Sequence, residues 1–143
     1  MDQIANADAA LFDLLLAVSR KVDKKHQQLL SNMDIRRSEY EVLLSLRCHG
    51  KPYAMTPNDL LQQVSITSGA LTAGVNRLIS RKYVIRVQDK KDQRSKPVVL
   101  TDKGKQVIDQ FTQIIPEHAS LIAQPLTDNE KLILRTLLLK LTI

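Results

Sequence analysis

Residues 56–101, TPNDLLQQVSITSGALTAGVNRLISRKYVIRVQDKKDQRSKPVVLT, contain the pattern that decides the fold. Thr56-Pro57-Asn58-Asp59 opens a short helix: Thr56 caps free amides, Pro57 takes the first turn, where its missing N–H is harmless, and Asp59 meets the positive helix end. Leu60, Leu61 and Val64 supply the buried side. After Ser65-Ile66, Thr67 caps a further helix running to about Arg81, with Leu71, Val75, Leu78 and Ile79 on one stripe. Two short helices separated by so few residues form a helix-turn-helix. The period then changes. Tyr83 to Val87 and Pro97 to Thr101 are rich in β-branched and aromatic residues and flank the polar, cationic stretch Gln88 to Lys96, which predicts a β-hairpin with a long basic tip. Pro97 lacks a ladder donor and suits the start of a strand at a sheet edge.

Upstream, a helix fits Arg36 to Cys48, with Tyr40, Leu43, Leu44 and Leu46 apolar, Gly50 as a left-handed stop and Pro52 enforcing the break. From Ile4, apolar residues recur at Ala7, Leu11, Leu14, Leu15, Val18 and Val22, a helical stripe that extends to Leu29 and Leu30. A helix of about 25 residues spans close to 40 Å, more than a small domain covers, so part of this stripe packs on another chain, on the chain's own last helix, or on both. Downstream, Thr101-Asp102-Lys103-Gly104 starts a helix whose buried side is Val107, Ile108, Phe111, Ile114 and Ile115, and Pro116 is expected to kink or end it. Thr127-Asp128-Asn129-Glu130 matches a capping box and precedes a helix that is apolar nearly all round. Such a helix requires burial, expected between subunits. Leu11, Leu14, Leu15 and Val18 in the first helix, with Leu134, Leu137, Leu138 and Leu141 in the last, are therefore candidate dimer contacts.

The expected fold is mainly α with a small β-hairpin wing, about six helices and two to three short strands. Residues 1–32 would form a dimerisation helix, 33–101 a winged helix-turn-helix domain, and 102–143 the C-terminal dimerisation helices, all in one compact protomer. The length of 143 residues, 43% hydrophobic and 25% charged, suits an ordinary globular domain. The longest uninterrupted apolar run, Leu14 to Val18, is far short of the roughly 18 residues of a spanning helix, and Asp2 and Asp8 stand where a signal peptide is basic. One cysteine, Cys48, excludes an internal disulfide framework, and three scattered histidines offer no zinc site. A reducing cytoplasmic setting, no membrane association, and neither metal nor cofactor are expected.

The formal net charge of +6 is concentrated. Residues 81–105 hold nine basic side chains against three acidic ones, and the rest of the chain is balanced. A neutral body with one cationic segment suggests a surface for a polyanion, the alternative being a solvated charged loop. A helix fits the major groove of DNA while cations on a projecting loop reach phosphates and the minor groove. With the apolar stripe of the Thr67-capped helix turned inward, Gly69, Ala73, Asn76 and Ser80 lie opposite, with Thr72 and Arg77 at the margins. Thr67, Ser68 and Gly69 bring the helix amino end toward a phosphate or base edge. Asn76 is the one side chain able to read adenine bidentately, and Arg77 is either a solvated arginine or a phosphate clamp. On the wing, Lys90, Lys91 and Lys96 suit phosphate contacts. Asp92, two residues before Arg94, can hold that guanidinium extended for a narrow minor groove, the alternative being an ordinary surface ion pair. No glycine-rich phosphate loop, G-x-S-x-G elbow or H-E-x-x-H motif occurs, which argues against an enzyme.

Thr67 to Val84 (TSGALTAGVNRLISRKYV), Asp92-Gln93-Arg94-Ser95 and Val99-Leu100-Thr101-Asp102-Lys103-Gly104 resemble the recognition helix, wing and exit motif of the MarR family of bacterial transcriptional regulators. The six-helix order and the closing LTDNE segment agree with it. The resemblance implies a homodimer joined through its first and last helices, two winged helices on a palindromic operator in double-stranded DNA, and often a small-molecule effector pocket. It also implies that Arg94 enters the minor groove and Asp92 orients it. A winged-helix module that docks an acidic protein is the alternative. Three departures from the family pattern stand out. Lys82 occupies the usual place of a glycine, so the exit from the recognition helix requires a costlier backbone conformation or another geometry. Gly69 and Ala73 replace larger polar or basic side chains, which leaves direct base readout thin. Cys48 lies outside the first helix, where peroxide-sensing members carry their cysteine.

Overall fold

The computed structural model describes residues 2–88, 90–91 and 96–142, with side chains from residue 6 onward. Six helices and three short strands follow in the order α1 (Asp2–Asn32), α2 (Arg37–His49), β1 (Ala54–Met55), α3 (Pro57–Gln63), α4 (Ser68–Ser80), β2 (Val84–Arg86), β3 (Val98–Leu100), α5 (Asp102–Ala123) and α6 (Asp128–Leu141). The chain divides into two compact units, Met1–Ile108 and Asp109–Ile143, with the boundary inside α5.

The helix starts follow the chemistry of their caps. Thr56 Oγ1 accepts from Asp59 N at 3.1 Å and donates to the Asp59 carboxylate at 2.7 Å. Thr67 Oγ1 accepts from Ala70 N at 3.2 Å. At α6 the capping box is complete: Glu130 N donates to Thr127 Oγ1 and Thr127 N donates to the Glu130 carboxylate at 2.7 Å. Gly50 ends α2 with φ of +85°, a region open to glycine at little cost, although its ψ of 170° is not that of a left-handed helical turn.

The core of the first unit is built from Val42, Leu43 and Leu46 of α2, Leu60 of α3, Leu71, Val75 and Leu78 of α4, and Met55, Val84, Val98 and Leu100 of the sheet, closed by Ile108. Each such side chain contributes about 1.5–3 kcal/mol when fully buried. The sheet is antiparallel in the order β1-β3-β2, with Met55 opposite Val98 and Val84 opposite Leu100. Along β3 the buried Val98 and Leu100 alternate with the half-buried Val99, the period-two signature of a strand with one face on a core.

Three expectations change. Pro97, expected at a sheet edge, instead precedes the central strand, where its carbonyl accepts from Val87 N at 3.0 Å and no donor is required of it. Pro116 does not end its helix, one of the two outcomes expected of it: α5 continues to Ala123. A proline removes one rung, and beyond it Ser120 Oγ donates to the Pro116 carbonyl at 2.9 Å. The first helix is also longer than the apolar stripe alone indicated, at 31 residues.

Candidate nucleic-acid interface

The apolar stripe of α4 points into the core and leaves the opposite face open. Leu71, Val75 and Leu78 are buried, while Thr67, Ser68, Gly69, Thr72, Ala73, Asn76 and Ser80 are exposed. Thr72 Oγ1 donates to the Ser68 carbonyl at 3.0 Å and Ser80 Oγ to the Arg77 carbonyl at 2.7 Å, so both hydroxyls are turned back onto the helix. A Cβ on Gly69 would meet nothing within 4 Å, which leaves the backbone at the helix amino end open to approach. Asn76 is the only exposed amide side chain on this face.

Arg77 is held from within the protein. Its Nε donates to Glu39 Oε1 at 2.6 Å, and the Glu39 carboxylate raises the pKa of a guanidinium that is already always charged. Glu39 is fully buried at the third position of α2, and its Oε2 accepts from Arg36 N at 2.8 Å. Neither the solvated arginine nor the phosphate clamp anticipated this pairing. Sequence reasoning missed Glu39 altogether. Its one local signal is an acid three residues after the start of a helix, and nothing local links it to an arginine 38 positions away.

The exit from α4 is equally specific. Lys82 has φ of +63°, the costlier conformation expected where a glycine is replaced. Arg81 donates to the Asp34 carbonyl, lies 3.6 Å from the Asp34 carboxylate and stacks over the Tyr83 ring at 4.8 Å. Lys103 reaches the other ring contact, 5.2 Å from the Tyr83 centroid, and donates to the Arg81 carbonyl at 3.3 Å. Lys105 lies 5.5 Å from the Tyr53 centroid. Part of the basic segment is thus engaged within the fold. Lys82, Arg86, Lys90, Lys91 and Lys96 are exposed on or beside the hairpin. Asp92 and Arg94, the expected wing pair, lie outside the described residues.

The candidate dimer residues Leu11, Leu14, Val18, Leu134, Leu137, Leu138 and Leu141 are exposed in the single chain, and Leu15 is half-buried. Within the second unit, Leu134 and Leu138 line an open hollow of about 350 Å³ together with Ala123 and Leu126. Among the described residues no cluster of histidine, cysteine and acidic side chains could hold a metal, and no helix is long and apolar enough to cross a membrane.

Comparison with known proteins gives this geometry its context. The MarR family model matches residues 33–95, which span α2 to the wing. The transcriptional regulator PecS of Dickeya dadantii is 30% identical over 124 residues, 87% of this chain and 75% of that protein. The multiple antibiotic resistance protein MarR of Escherichia coli is 32% identical over 81% of this chain and 76% of its own length. A crystal structure of a cysteine-to-serine variant of that protein with operator DNA superposes with a TM-score of 0.78 at 31% identity, covering 95% of this chain and 96% of the other. BpsR of Bordetella bronchiseptica, at 21% identity and a TM-score of 0.78, shares the fold. The sequence relatives and the winged helix-turn-helix together establish that the chain belongs to the MarR family, whose members are transcriptional regulators and not enzymes.

Proposed function

We propose that two copies of this chain bind a palindromic operator, each placing α4 in the major groove and its basic hairpin over the adjacent phosphates and minor groove. The observation that carries this reading is the open, small-residue face of α4 beside the exposed cations Lys90, Lys91 and Lys96. A helix presenting Gly69, Thr72, Ala73 and Asn76 approaches base edges closely but has few groups to read them with. Specificity then depends on DNA shape, on Asn76 and on Arg94, with Asp92 holding Arg94 extended. The amino end of α4, at Thr67 and Ser68, suits a phosphate.

Residues 1–32 and 102–143 supply the dimer contacts, and residues 33–101 the DNA-binding module. Half-site centres then lie about one helical turn apart, roughly 10 base pairs. The protein acts in the cytoplasm as a repressor, released when a small molecule favours a dimer whose two α4 helices no longer match that spacing; this requires different affinities for the two states. The relative solved with operator DNA, and BpsR, whose DNA binding is regulated by 6-hydroxynicotinic acid, support a reading in which a small molecule acts on a DNA-bound regulator.

The test begins with selection of a preferred duplex from a random pool. Arg94→Ala is expected to weaken binding to that duplex by about 1–3 kcal/mol, roughly five- to 150-fold, with fold and mass unchanged. Unchanged affinity would remove the wing assignment. Retention of an acidic protein but of no duplex at low salt would favour the protein-docking module instead.

A further inference from the structure

We propose that Glu39 is a positioning residue for duplex recognition: from the buried start of α2 it fixes, through Arg77, the orientation in which α4 is offered to DNA. The inference rests on the DNA-binding reading above and adds to it how a helix with so few reading groups keeps a defined pose.

Two adjacent residues of α2 meet α4 at points one turn apart. Gly74 packs on Ser38 so closely that a Cβ there would stand 3.1 Å from Ser38 Oγ and 3.2 Å from Ser38 Cβ. One turn on, Arg77 Nε bonds Glu39 Oε1 at 2.6 Å. The first contact sets the distance between the helices. The second resists rotation of α4 about its own axis, because the guanidinium bond is directional and Glu39 cannot follow it: its other oxygen is held by Arg36 N at 2.8 Å. Arg81 sits 3.9 Å from that same oxygen and donates to the Asp34 carbonyl. The carboxylate therefore joins the start of α2 to Arg77 and Arg81 at the end of α4, and Arg81 in turn reaches Asp34 in the connection after α1.

Core packing alone does not require a charge here. A buried ion pair is often no more stabilising than apolar residues of the same volume, whereas its directionality specifies one arrangement. Gly69, Ala73 and Asn76 present short reach, so a small rotation of α4 removes Asn76 from any base edge. Arg77 thus serves recognition by orienting the helix that carries Asn76, and not by a base contact of its own.

The experiment compares wild type, Glu39→Gln, Arg77→Lys and the double substitution Glu39→Met with Arg77→Met. For each, thermal unfolding is recorded, and affinity is measured for the duplex that wild type selects from a random pool and for a scrambled duplex of the same length. Wild type is expected to discriminate between the duplexes. The single variants are expected to stay folded and lose about tenfold in that ratio, with affinity for the scrambled duplex changed less than about twofold. The double variant is expected to recover thermal stability without recovering discrimination. An unchanged ratio in folded variants would overturn the proposal. So would an equal loss on both duplexes with a salt slope reduced by about one, the mark of a phosphate contact by Arg77. Failure of every variant to fold would assign the pair to the core alone, against the proposal. If wild type retains no duplex, the DNA-binding reading itself fails.

Discussion

A Cβ on Gly104 would stand 2.1 Å from the carbonyl oxygen of Tyr83, closer than any real contact. The start of α5 and the exit from α4 are therefore in contact backbone to backbone. Thr101 completes the junction: its Oγ1 donates between the Lys82 and Tyr83 carbonyls, at 2.7 and 3.0 Å, and accepts from Gly104 N at 3.1 Å. The Thr-x-x-Gly spacing is thus a clasp that fixes where the wing leaves the recognition helix. Gly104→Ala must displace backbone, not a flexible side chain, and is expected to cost at least the 1–3 kcal/mol typical of overpacking, about that or more. Denaturant unfolding monitored by circular dichroism checks this; a midpoint equal to wild type would contradict the contact.

Lys82 holds a φ of +63° with its side chain exposed, so its side chain gives little in return for the strain. Lys82→Gly removes a left-handed penalty of about 1 kcal/mol but adds chain entropy to the unfolded state. A net gain of up to about 1 kcal/mol is expected by denaturant unfolding. Lys82→Val, β-branched at the same φ, should instead lose stability.

His26 meets Tyr40 edge-on, with ring centroids 4.8 Å apart. Burial and the Arg37 guanidinium lower the imidazole pKa, outweighing Asp23 and Glu41, which raise it. Because the folded value lies below the unfolded one, the neutral ring favours folding. That contribution is complete above the unfolded pKa and is lost as pH falls through the folded one. As pH falls below the ordinary imidazole value of 6.5, stability is expected to fall, and His26→Phe should flatten this segment of the pH profile. An identical profile in the variant would place the titration elsewhere.

Every described side chain of α6 is exposed in the single chain, including Leu134, Leu137, Leu138 and Leu141. A helix with that composition is expected to be covered by a second copy. Leu138→Glu would place a charge in that contact and is expected to raise the dimer dissociation constant about a hundredfold, equivalent to roughly 3 kcal/mol. Sedimentation equilibrium reads this as a halving of mass at micromolar protein. A mass that matches wild type would remove α6 from the interface.

The elements most legible in the sequence are those with strong local rules. Thr56, Thr67 and Thr127 announce their helices because a hydroxyl cap acts over three residues, and the α4 stripe identifies Leu71, Val75 and Leu78 as core because helical spacing is regular. Lys82 also announces its strain, since it stands where the family pattern has a glycine. Long-range pairing was not legible. The buried Glu39 reads locally as an ordinary first-turn acid, and the Arg77 side chain as a surface cation, until the fold brings them together. Arg81 and Lys103 belong to the cationic segment 81–105, yet Tyr83 and the Asp34 and Arg81 carbonyls engage them. The helix also continues past Pro116, because losing one rung does not outweigh the remaining rungs of a 22-residue helix.

The most direct test of the whole account is duplex binding measured against salt, with stoichiometry, on the sequence that wild type selects. Two protomers per duplex are expected, with an affinity that falls linearly on log–log axes with a slope of several, about 0.9 for each phosphate contacted. A monomer that retains no duplex even in dilute buffer would contradict it.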